Sequence, residues 1–202
     1  MGARQRFRGR IAGVGSSSGT RVVVGWWHES PFGVFADAMV ERADGHRLLL
    51  APSDEVADLV ATTYTFDEVR VEPLVAEESA GSGWHVASPS LTLDLGVGGR
   101  TGLGRLLRLA PARLAGSPGF ATMADPVARV VLRGVRTRGV ARAGRREYYG
   151  ATDVRAVTSM TGALDGVDLG SLSPVDPPCR FGFSSTPRRP SVTDVVTTIV
   201  GA

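Results

Sequence analysis

The densest collection of reactive side chains in the sequence is Trp26-Trp27-His28-Glu29-Ser30-Pro31-Phe32. It holds two of the three tryptophans, one of the three histidines and a carboxylate, at the end of an apolar run. An imidazole can give or take a proton near neutral pH, and a neighbouring carboxylate can orient it or act beside it. His28 and Glu29, with His85 of the similar Trp84-His85 segment, are therefore the candidate catalytic residues. In a strand, alternation would set Trp27 and Glu29 on one face and Trp26 and His28 on the other. Trp26, Trp27 and Phe32 also offer apolar wall to a ligand. His28, His46 and His85 lack the short spacings of a zinc site, so no metal and no other cofactor is expected.

A second constellation is cationic. All 23 basic residues are Arg, and the chain has neither Lys nor Asn. Lysine Schiff-base chemistry and the lysine of a P-loop are thereby excluded, as is N-glycosylation. Residues 95–152 carry 11 Arg against two acids, a net of +9, whereas residues 1–94 are net −5 and residues 153–202 net −1. Arg136, Arg138 and Arg142 share one parity, and Arg145, Arg146, Tyr148 and Tyr149 follow them. Such a surface suits a phosphate backbone with stacked bases, or, turned inward, the charged head of a small ligand. Arg100 stands in a glycine-rich loop, Gly96 to Gly104, that leads from a strand into a helix, and with Arg105 it forms a candidate anion site.

Two motifs read as structure. Gly15-Ser16-Ser17-Ser18-Gly19 spells a nucleophile elbow, but a strand follows where the elbow needs a helix, so a hairpin turn is expected. Cys179, the lone cysteine, excludes an internal disulfide, and one neighbouring Arg is thin support for a thiolate, so an inert packed thiol is expected.

The elements that position these residues are mostly strands. Thr20–Trp27 is β-branched and aromatic. Val34–Arg42 and His46–Ala51 flank Ala43-Asp44-Gly45, a hairpin signal. Asp67–Val75 alternates, predicting an antiparallel strand with Val69 and Val71 inward and Glu68, Arg70 and Glu72 wet. Ser90–Val97 places Leu91, Leu93 and Leu95 on one face. A long hairpin is predicted over Val127–Arg142 and Arg145–Met160, with a bulge at Gly134. Further strands fall near Leu164–Leu169 and Val192–Val200. Ser53 caps one short helix, and a second runs from Thr101 to Ala110 with its leucines inward. The prolines of residues 174–190 mark an ordered surface connection.

With 202 residues and a globular composition, one β-rich domain over residues 1–202 is expected. The predicted fold is an antiparallel barrel or partly open barrel with two short helices, the alternative being a two-sheet sandwich. At Gly25-Trp26 the first long strand resembles that of lipocalin-like proteins, an analogy of fold that implies nothing about function. No apolar run approaches the ~20 residues of a membrane-spanning helix. The basic N-terminus lacks a signal-peptide core, so the cytoplasm is the expected compartment.

Three functions fit these residues. The leading one is binding of an amphipathic or anionic small molecule inside the barrel, walled by Trp26, Trp27 and Phe32 and held by Arg100, Arg136 and Arg138. The second is an enzyme using His28 or His85 beside Glu29. The third is an interaction module whose basic block meets nucleic acid or an acidic partner.

Overall fold

Strand β1 (Arg4–Ser16) shows how the sheet is built. Phe7 and Ile11 project from one face, with Gly9 between them and Gly13 beyond, while Arg10, Ala12 and Val14 project from the other. Glycine and arginine hide this alternation, which is why hydropathy alone gives no strand there. A computed structural model describes residues 4–108, 138–140, 146–182 and 185–200. The chain continues through β2 (Arg21–Glu29), β3 (Phe35–Glu41), β4 (Arg47–Ala51), α1 (Asp54–Thr63), β5 (Glu68–Val71), β6 (Val75–Ser79), β7 (Gly83–Ala87) and β8 (Leu91–Arg100). Then come α2 (Gly102–Leu107), β9 (Arg138–Val140), β10 (Arg146–Leu164), β11 (Val167–Asp168), β12 (Leu172–Ser173) and β13 (Ser191–Val200).

The main path of the sheet is β5-β4-β3-β2-β1-β13-β10-β8-β7-β6, with β9, β11 and β12 as short additions. It curls into a half-barrel and carries two short helices, the partly open barrel expected from the sequence. The Ser/Gly stretch is the β1–β2 turn, closed by the Ser16 N–H to the Thr20 carbonyl at 3.0 Å. Gly19 takes a left-handed φ of +84° there, where a side chain would be strained.

The concave face is packed with apolar side chains. Val14, Val22, Val24, Val40, Leu48, Leu50, Leu91, Leu93, Leu95 and Trp84 are each 2% exposed or less. Val86, Met160, Leu164 and Val192 close the same cluster. This is where a bound molecule was expected, and the described side chains occupy it.

Three segments differ from their sequence reading. Leu164–Leu169, expected as one strand, is the end of β10, a tight turn at Asp165-Gly166 and β11. Asp67–Val75 is broken at Pro73, which cannot donate to a ladder, into β5 and β6. β5 pairs parallel with β4, because α1 carries the chain over the sheet as a crossover. Its valines face outward, Val69 at 44% and Val71 at 48% exposed, while Arg70 turns toward the gap between the sheet's two ends. There Arg70 donates to Asp165 Oδ1 at 2.6 Å, Glu68 Oε1 at 2.7 Å and Ser90 Oγ at 2.9 Å. Charge pairing across the opening outweighs the alternation. In the third segment, α2 is capped by Thr101, whose hydroxyl accepts from the Gly104 N–H at 3.0 Å. Leu106, expected inward, is 61% exposed. The helix meets β10 at Gly104, where the backbone of Val154 leaves no room for a side chain.

On the convex face, α1 lies over β3 and β4, held by Val56, Ala57 and Val60 against Leu49, Ala51 and Met39. Ser53 accepts from the Val56 N–H at 3.4 Å, as its capping position predicts. The described part of the proline-rich connection lies beside the C-terminal end of α1, where the Thr65 N–H donates to the Phe181 carbonyl. It buries Val175, Cys179 and Phe181 against Val23. Burial pushes the Cys179 thiol up to about 12, the behaviour of an inert packed cysteine.

Candidate functional site

Between α1 and the convex face of β13, β1, β2 and β3 the packing is incomplete. A half-enclosed pocket of about 70 Å³ remains there. Its walls are apolar: Phe7, Ile11, Val23, Trp27, Phe35, Met39, Leu59, Val60 and Ile199. Four polar side chains interrupt them: Thr63 and Tyr64 at the end of α1, Asp37 of β3 and Thr197 of β13. Thr63 Oγ1 donates to the Leu59 carbonyl at 2.8 Å.

Asp37 is 5% exposed and accepts one described hydrogen bond, from Trp27 Nε1 to Oδ1 at 2.8 Å. Burial drives its carboxyl from the ordinary value of 3.8 up to about 7, and the indole bond only partly offsets this. No arginine or histidine among the described residues neutralises it. Gly25, the cross-strand partner of Asp37, makes the arrangement sterically feasible. A Cβ at position 25 would lie 2.5 Å from Asp37 Oδ1 and 2.6 Å from Trp27 Nε1, so the bond rests on bare backbone. Thr197 is 2% exposed, and its Oγ1 has no hydrogen-bond partner among the described residues. Buried hydroxyls are ordinarily satisfied, so this one is an exception that needs an explanation.

The same face shows how the protein treats a carboxylate that it means only to bury. Glu41, four residues along β3 from Asp37, is fully buried, forms an ion pair with Arg21 Nη2 at 3.1 Å, and accepts from Arg180 Nε at 2.9 Å and the Arg180 N–H at 2.7 Å. Two guanidiniums hold it. Asp37 has none.

The expected site residues are divided by strand alternation. Trp27 and Phe32 do come together at the convex pocket: Phe7 stands edge-on to Trp27 at 5.7 Å, and Phe32 lies 6.4 Å from both Phe7 and Phe35. Trp26 projects to the concave face, against Trp84 at 5.2 Å and beneath the Arg10 guanidinium at 5.4 Å. His28 follows it, its ring tilted against Trp26 at 4.8 Å and 56°. Burial, with Arg10 adding, lowers its pKa. Glu29 is 66% exposed and pairs with Arg8 at 4.0 Å, at the irregularity where the β1–β2 register shifts, and no described contact joins it to His28. His85 is on the outward side of β7, its Nδ1 2.7 Å from the exposed Asp94 carboxylate. Trp84 points inward and Trp27 outward, so the two Trp-His segments present opposite faces.

Of the basic residues, Arg100 is engaged by Asp153, at 2.6 Å through Nε. Arg138 falls in β9 opposite Tyr148 of β10, in the register of the expected hairpin. Arg136 and the Gly134 bulge lie outside the described residues, as does most of that hairpin's first arm. Described irregularities instead interrupt β10, near Asp153 and Val157, and the β1–β2 pairing at Arg8. Among the described residues no three His, Cys, Asp or Glu side chains converge as a metal site requires, and no helix is long and apolar enough to cross a membrane.

Asp37 and Thr197 were absent from the sequence-based candidates. A signal for Asp37 exists: an acid flanked at the same parity by Phe35 and Met39 implies a carboxylate on an apolar face. Thr197 carries none, since threonine is ordinary in a strand.

No protein-family model matches the chain, and no curated protein does. Among solved structures, that of "a putative AttH" from Nitrosomonas europaea is similar at a TM-score of 0.31 and 11% identity, over 98% of this chain and 52% of that one. The chain therefore spans about half the length of that structure.

Proposed function

We propose that this protein binds a small, mainly apolar molecule in the convex pocket beneath α1, rather than inside the barrel. The observation that supports the reading is the pair of buried and incompletely satisfied polar groups, Asp37 and Thr197, in a mainly apolar wall. Ligand sites of small proteins have this composition, apolar surface with a few placed polar groups that fix orientation. A buried carboxylate without a countercharge lowers stability, so a group that is useful only when something occupies the pocket accounts for its presence.

Native mass spectrometry of the full chain tests this directly. A small non-covalent adduct is expected on the wild-type protein and is expected to disappear from Leu59→Trp, which fills the pocket from the helix side. An adduct retained by that variant would place the ligand elsewhere. A bare wild-type mass that also stays bare after incubation with short-chain alcohols and amines would count against binding altogether.

A further inference from the structure

We propose that the occupant of the convex pocket carries a protonated amine on a short aliphatic chain, with Asp37 as its counterion. This rests on the pocket being a binding site and names the chemical class that it selects.

Three features of the pocket argue for it. The first is charge. Asp37 can accept further hydrogen bonds at Oδ2, since its described indole bond is to Oδ1, and no cationic side chain among the described residues faces it. An anionic ligand would meet an unscreened carboxylate in an apolar wall, where repulsion is strong. A cationic ligand supplies the charge the wall lacks, and an ammonium also donates to a carboxylate in the short, strong geometry of charge-assisted bonds. The second feature is aromatic surface. Phe7, Trp27 and Phe35 line the pocket, and ring faces attract cations that have been stripped of water. The third is size. At about 70 Å³ the pocket has roughly half the volume of a cavity that admits benzene, so a chain of a few carbons fits where a ring does not. Thr197 Oγ1, buried and without a described partner, remains to accept from or donate to a polar group of the same ligand.

The ionisation states agree with this pairing. An alkylammonium keeps its proton to about pH 10, as the lysine side chain does. Asp37, raised by burial to about 7, is ionised for the most part at pH 8. An approaching cation would lower it further and so favour its own binding.

The test uses three probes of one shape at pH 8: n-butylamine, butan-1-ol and pentanoate. Binding to the full chain is read from the indole N–H signal of Trp27 in a two-dimensional NMR spectrum, assigned by its loss in Trp27→Phe. That proton sits on Asp37, so it reports the pocket and not the surface. Butylamine is expected to bind roughly tenfold or more tightly than butanol, the worth of a hydrogen bond to a charged group. Pentanoate is expected not to bind. Asp37→Asn keeps the shape and removes the charge, and is expected to erase the difference between amine and alcohol. Butanol or pentanoate binding as well as the amine would overturn the assignment while leaving the pocket a binding site. An amine preference that survives in Asp37→Asn would overturn it too. If no probe moves the Trp27 signal, the binding site falls along with it.

Discussion

Asp37 and Glu41 stand on the same face of the same strand, both are buried, and they have opposite environments. Glu41 is clamped by Arg21 and by the proline-rich connection through Arg180, so its charge is part of what fastens that connection to the sheet. Asp37 is covered by α1 and mainly apolar walls and, among the described residues, is offered only an indole N–H. A buried charge whose partners come from its own fold is a structural device. One whose partners are missing is either a defect or half of a recognition event, and Gly25 beneath the Asp37–Trp27 bond shows that the backbone is shaped around it.

The contrast is broken most severely at Glu41. Glu41→Gln leaves Arg21 buried without its countercharge, and a loss of about 3–5 kcal/mol is expected in urea denaturation. If the Arg21–Glu41 pair is only structural, Arg21→Met with Glu41→Leu recovers most of that loss, because a well-packed apolar pair replaces a buried ion pair at little cost.

Asp37 responds with the opposite sign and depends on pH. The folded protein holds the Asp37 proton to about pH 7, whereas the unfolded chain releases it near its ordinary value of 3.8. The associated stability is therefore fully present below about pH 4 and is lost as pH rises through 7. Asp37→Asn is expected to stabilise the unliganded protein by about 2–4 kcal/mol at pH 8.5 and to change little at pH 4. Equal effects at the two pH values would mean that the carboxyl has a partner.

Smaller effects refine the picture. Trp27→Phe removes the described donor to Asp37, and a loss of about 1–3 kcal/mol is expected, greater at pH 8.5 where the carboxylate needs it more. Thr197→Val deletes a hydroxyl that has no described partner, so stability in the absence of ligand is expected to be unchanged or to rise by up to about 1 kcal/mol. A clear loss on thermal unfolding would show that Thr197 is satisfied within the fold.

Much of the fold was legible because it follows local rules. The Ala43-Asp44-Gly45 turn joins β3 to β4, Ser53 starts α1, and Leu91, Leu93 and Leu95 line the concave face, each as spacing predicts. The curvature into a partly open barrel was also expected, from many strands and few helices. Legibility ended where long-range contacts prevail. β1 was hidden by its glycines and arginines. The parity of β5 was decided by a crossover helix and by Asp165, almost a hundred residues away. The candidate site was partly legible: Trp27 lines the pocket and Phe32 packs against its wall rings Phe7 and Phe35, but their neighbours Trp26, His28 and Glu29 are separated from it by alternation or exposure.

By itself the sequence determined what each strand could be: which positions alternate, where turns need glycine, and which residues could carry a proton or a charge. Those are properties of a residue and its near neighbours. Only the tertiary structure decided which face became interior and which gained a helix as its roof, because both depend on how ten strands order themselves and on where α1 crosses them. An aspartate in β3 is a polar residue in a strand until α1 and Trp27 enclose it, and it is the exclusion of water there that makes it a site.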